Sequence, residues 1–179
     1  MPNRTTETAT FRFDKELLEN LKKISEHEHI SLNVVVSQIL DSYVHWQISA
    51  PDAGWIVMIK SFLVELIKEV DDDKISHLAT KSSKKSAKNI ALLMRGNFDE
   101  DDWIDIIKQR AQRSGFKFLE FSKDKKIEYV MHHDMGIKWS IYFITFYENL
   151  FHELNIPIIF DYTGKLITMI LEKHETNSS

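Results

Sequence analysis

The chain has 179 residues, 43% hydrophobic and 28% charged, with a formal net charge of -4 and no cysteine. This excludes disulfides, thiol nucleophiles and cysteine-based zinc sites, and it excludes a partner for nucleic acid that binds by bulk positive charge. No apolar run approaches the roughly 18 residues that span a bilayer, and MPNRTTETATF lacks a signal-peptide apolar core, so a soluble, cytoplasmic protein is expected.

Charge is spread evenly. Residues 1–50 carry 5 Lys+Arg against 7 Asp+Glu, residues 51–115 carry 11 against 11, and residues 116–179 carry 7 against 9. Any nucleic-acid contact must therefore rest on a few well-placed cations.

Thr8-Ala9-Thr10-Phe11-Arg12-Phe13 alternates polar and apolar residues, the period of a half-buried strand. Ala9, Phe11 and Phe13 would point one way, Thr8, Thr10 and Arg12 the other. Asp14 stands where a helix N-cap belongs, and Leu17, Leu18, Leu21 and Ile24 follow at helical spacing. Glu26-His27-Glu28-His29 closes that helix without the usual glycine. Ser31 caps a second helix, whose stripe runs Leu32, Val35, Val36, Ile39, Leu40, Tyr43, Val44. One such unit cannot stand alone, because its strand has no hydrogen-bond partner and two short helices bury little. Two copies would satisfy both needs, as an antiparallel ribbon flanked by four helices.

The segment TATFRFDKELLENLKKISEHEHISLNVVVSQIL resembles a ribbon-helix-helix DNA-binding domain of the Arc/MetJ/CopG type. The resemblance covers about residues 6–47, a quarter of the chain, and departs from the family at His29-Ile30, where glycine is common. It implies a homodimer, or a dimer of dimers, on double-stranded DNA. Thr8, Thr10 and Arg12 would enter the major groove, and the N–H groups of Ser31, Leu32 and Asn33 would clamp phosphate, with Arg4 and Lys15 adding phosphate contacts.

Beyond Ala50-Pro51-Asp52-Ala53-Gly54, residues 55–70 read as a helix apolar nearly all round, buried between domains or against a partner. Asp71-Asp72-Asp73 ends it. Lys81 to Lys88 reads as a basic linker, and Asn89 to Met94 as a buried strand with helix as the alternative. Asp99 to Ser114 is a helix with Trp103, Ile106, Ile107 and Ala111 inward, stopped by Gly115. Strands are expected around Phe116–Phe121 and Ile127–His133, then an aromatic helix from about Ile137 to Leu154. Two strands about Thr163-Gly164 are placed to form a hairpin. The expected fold class is α+β: a ribbon-helix-helix dimerisation domain over 1–48, a buried helix and basic linker over 49–88, and a ferredoxin-like (ACT-like) βαββαβ domain over 89–179. The plan looks like that of nickel-responsive ribbon-helix-helix repressors. Their metal site uses several histidines and a cysteine, which this chain does not match, so nickel sensing is not carried over.

Trp139, Tyr142, Phe143 and His133, with Phe118 and Tyr129, are candidates to line an effector pocket, although core packing explains the same residues. His132-His133-Asp134 is the densest ligand-like cluster. Adjacent strand residues point to opposite faces, and Asp134 is placed to cap the next helix, so no metal and no cofactor is expected. No catalytic motif stands out, and no enzyme is expected. The expected function is a sequence-specific transcription regulator with a C-terminal effector-sensing or oligomerisation domain. The alternative is an antitoxin-like protein whose C-terminal part binds a protein partner.

Overall fold

The computed structural model describes residues 6–172. The chain forms two compact units, Met1–Ile48 and Ser49–Ser179.

The first unit is helical. Residues 6–13 carry neither helix nor strand and are exposed throughout. Helix α1, Lys15–Glu28, starts at Asp14, whose carboxylate accepts from the N–H groups of Glu16 and Leu17. Helix α2, Leu32–Ser42, starts at Ser31 and runs into a π-helical turn, Tyr43–Gln47. The expected ribbon strand over Thr8–Phe13 is absent from the chain on its own. A strand needs a neighbour to take its backbone hydrogen bonds, and the described residues of this unit supply none.

The second unit opens with helix α3, Lys60–Lys68, which is shorter than the buried helix expected over 55–70 and corrects it, because none of its residues is buried. Helix α4, Asp72–Arg95, is the longest element. It corrects two expectations, because the basic linker at Lys81–Lys88 and the strand at Asn89–Met94 both lie inside it. The cause is a period that composition hides: Ile75, Ala79, Ser83, Ala87, Ile90, Ala91 and Met94 are buried at every third or fourth position. Small residues on that line let α4 lie close against a neighbour, and the lysines between them face water.

Helix α5, Glu100–Arg113, buries Trp103, Ile106, Ile107 and Ala111, as the spacing indicates. Gly115, at φ +71°, turns the chain out of it. The hairpin β1 (Lys117–Lys123) and β2 (Lys126–His132) follows, then helix α6 (Ile137–Glu153), then the hairpin β3 (Ile158–Tyr162) and β4 (Leu166–Glu172). The sheet is antiparallel throughout, in the order β1-β2-β4-β3, with β2 and β4 paired at its centre. The ferredoxin-like βαββαβ order is therefore overturned. Its first strand is helix, and the second half contributes a whole hairpin, which gives two hairpins joined through α6.

α6 is the middle layer. Ser140, Phe143, Ile144, Phe146, Tyr147, Leu150 and Phe151 are buried on it, too wide an arc for a single contact. It packs against α4 and also meets β3 and β4. The sheet turns Tyr129, Met131, Ile167, Met169 and Leu171 inward. No helix among the described residues is long and apolar enough to cross a membrane.

Candidate nucleic-acid interface and the His133 cluster

The residues expected at DNA all lie in the first unit. Thr8, Thr10, Arg12 and Lys15 are exposed at and before the start of α1, and Arg4 lies outside the described residues. Phe11 and Phe13 place their rings 6.3 Å apart. That separation sets the two rings beside each other on the chain that leads into α1. Ser31 and Asn33 are exposed and Leu32 is half-buried. Ser31 Oγ accepts from the Val34 N–H at 3.2 Å, which caps α2. That leaves the N–H groups of Leu32 and Asn33 at the open end of the helix, where the backbone itself provides no acceptor.

The turn between α1 and α2 explains the departure at His29. His29 adopts the left-handed conformation, φ 55° and ψ 37°. The Ile30 N–H reaches back to the Ser25 carbonyl at 3.1 Å, and Ser25 Oγ donates to the Ile30 carbonyl at 2.5 Å. The backbone thus makes the turn that glycine makes easily, with a histidine in place of it. Replacing His29 by glycine is expected to stabilise the unit by about 0.5–1 kcal/mol, read as slower amide exchange in α1 and α2.

Few apolar side chains of this unit are covered. Leu21, Val35 and Trp46 are buried, whereas Phe11 is 59% exposed and Phe13 40%, and Leu17, Ile24, Val34, Ile39, Leu40, Tyr43, Val44 and Ile48 are exposed with them.

In the second unit the expected pocket residues meet each other. Trp139 lies 5.2 Å from Phe143, ring to ring, Tyr142 6.0 Å from Phe143 at its edge, and Tyr147 stacks on Phe143 at 7°. Phe118 stacks on Tyr129, and burial pushes the Tyr129 hydroxyl up to about 12, with Glu120 adding to the rise. Trp139 and Tyr142 are half-buried and Phe143 is buried.

His133 is buried and fully engaged, while its neighbour His132 is exposed. Its Nδ1 accepts from the Met135 N–H at 3.2 Å, so the ring proton sits on Nε2. Nε2 is 3.0 Å from Ser140 Oγ, whose own proton goes to the Thr163 carbonyl at 2.6 Å. The chain of bonds ties the end of β2 to α6 and to the β3–β4 turn. Here the imidazole donates to the serine and cannot act as its base. Asp134 does not cap α6. Its carboxylate holds Lys60 at 2.7 and 2.8 Å, and that bond keeps it below the ordinary carboxylate range. Among the described residues no group of three His, Asp or Glu side chains is placed to hold a metal ion.

Burial lowers the His133 pKa, partly offset by the nearby Asp134 charge. A neutral imidazole therefore belongs to the folded state, and its contribution to stability is present above the ordinary value of 6.5 and is lost as pH falls below it. Asp102 and Glu148, both raised mainly by burial, pull the other way on acidification. Comparing unfolding midpoints of wild type and His133→Gln between about pH 7.5 and about pH 5.5 isolates the histidine, and the variant is expected to lose less on acidification.

One arrangement gave no signal in the sequence. The Arg110 guanidinium lies 4.3 Å from the Phe143 ring centroid and 5.2 Å from that of Trp55, and donates to the Tyr147 hydroxyl at 3.0 Å. It lies on the last turn of α5, where its position alone suggests no more than a cation suited to the helix dipole.

No family model matches the chain, and no curated protein is similar enough to it to indicate a relative.

Proposed function

We propose that this chain is a DNA-binding transcription regulator that works as a homodimer, with Thr8–Phe13 of two copies paired at the duplex. The observation that carries the reading is the exposed apolar set of the first unit. Phe11, Phe13, Leu17, Ile24, Val34, Ile39 and Leu40 are left uncovered by a unit of two short helices. A second copy covers such a set symmetrically, and each of these roughly half-exposed side chains then contributes about half of the 1.5–3 kcal/mol of a full burial.

In that dimer Phe11 and Phe13 turn inward, and Thr8, Thr10 and Arg12 face out. Arg12 matches the paired acceptors of a guanine edge, and the threonines suit base edges and thymine methyl groups. The open N–H groups of Leu32 and Asn33 suit a phosphate oxygen. Unit 2 serves as the effector-sensing or oligomerisation part. Its many-layered core sets the reading apart from the antitoxin alternative, whose partner-binding tail folds only on its target.

The test is selection of bound duplexes from a random pool by the full chain, followed by titration of the winner. Arg12→Ala is expected to lower affinity for the selected duplex by roughly 1–3 kcal/mol, with a shallower dependence on salt. Equal affinity and an unchanged salt slope would remove Arg12 from the interface, and failure to enrich any duplex would count against the function.

A further inference from the structure

We infer that the outer face of the unit 2 sheet is a docking surface for a second copy of this chain, packed sheet on sheet. The inference does not rest on DNA binding. One face of the sheet is covered and carries the buried residues of β2 and β4. The register places the opposite residues in rows on the other face. One row runs Leu119, Val130, Thr168, Asp161, and the next runs Phe121, Glu128, Ile170, Ile159. Leu119, Phe121 and Ile159 are at least half exposed. A contiguous apolar patch of this kind on a regular sheet is the surface that sheet packing buries.

Charge selects the occupant and its orientation. The outward positions of β1 and β2 carry Lys117, Lys123 and Lys126 against Glu128, and those of β3 and β4 carry Asp161 and Glu172. One half of the face is positive and the other negative, so it complements itself. A two-fold axis parallel to the strands lays β1 of one copy over β3 of the other. Phe121 then meets Ile159, Lys126 meets Glu172, and Lys117 comes beside Asp161. The alternative axis, perpendicular to the strands, lays β1 on β1 and sets lysines against lysines. Glu128 lies inside the patch over Ile170, so neutralising it strengthens the contact. The face measures roughly 19 Å by 20 Å, which places the contact among small, weak interfaces.

The absence of cysteine makes introduced thiols unique in the chain. Full-length Phe121→Cys and Ile159→Cys chains are mixed at about 100 μM, in the range of weak association, and treated with a short bis-maleimide. The opposed positions lie about 10 Å apart across packed sheets, whereas Phe121 lies a further 14 Å or so sideways from its own copy. The expected result is a cross-linked pair in the mixture, with a yield at least roughly tenfold above that of either chain alone, and a further rise when both chains also carry Glu128→Gln. Leu119→Cys mixed with Asp161→Cys gives the same answer from the neighbouring row. A mixture that links no better than either chain alone, or Phe121→Cys linking to itself as readily, overturns the inference. The first of these results with the thiols still open to labelling leaves the face to a different protein.

Discussion

Replacing Phe143 by alanine is expected to cost unit 2 about 3–5 kcal/mol, a large part of the 5–15 kcal/mol that holds a domain of this size. Phe143 is 3% exposed and is the ring on which the others converge. His133 meets it edge-on at 6.3 Å, Tyr147 stacks on it at 6.1 Å, and the Arg110 guanidinium sits 4.3 Å from its centroid. Truncation leaves a cavity and removes the aromatic face that the half-buried arginine uses. Phe143→Leu keeps most of the volume and is expected to cost under about 2 kcal/mol. Denaturant unfolding of the full chain, followed by near-ultraviolet dichroism, reads both. A loss below about 1 kcal/mol for the alanine variant would mean the ring lines a space rather than filling one.

The second large effect belongs to the first unit. Phe11→Ser with Phe13→Ser is expected to weaken the proposed dimer at least roughly a hundredfold, because its four rings, 59% and 40% exposed in each copy, each forfeit about half of a full burial of about 1.5–3 kcal/mol. DNA binding is expected to fall with it, although in the proposed complex neither ring faces the duplex. α1 and α2 should persist, since their caps at Asp14 and Ser31 are untouched. Sedimentation, duplex titration and far-ultraviolet dichroism separate the three outcomes. Unchanged association in the double variant would place the rings outside the interface.

Helices with strong local signals were legible in the sequence. Asp14 and Ser31 both cap helices, and the inward set of α5 falls where its spacing puts it. The β3–β4 hairpin about Thr163-Gly164 was equally plain. The errors arose where composition outweighed period. Lys81 to Lys88 is rich in lysine and serine, and Asn89 to Met94 is apolar on every side, so the two looked like a linker and a strand. Ala79, Ser83, Ala87 and Ala91 recur every fourth residue through both, and that line of small residues was the available signal. The ferredoxin-like order fails at that segment and again after α6, where two strands stand in place of one. Asp134 stands where a cap belongs, and sequence spacing cannot reveal Lys60, which lies 74 positions earlier and holds the carboxylate. Spacing hides equally that Ser140 meets His133 and passes its own proton to the Thr163 carbonyl. Thr8–Phe13 has the alternation of a strand, but a strand is a property of two segments, and the chain alone supplies one.

Amide exchange at Thr8–Phe13 tests the central claim most directly. If two copies pair there, these amides are slow to exchange at high protein concentration and become fast on dilution, and duplex DNA restores their protection. Exchange at the rate of a free peptide at every concentration, with and without DNA, would contradict it.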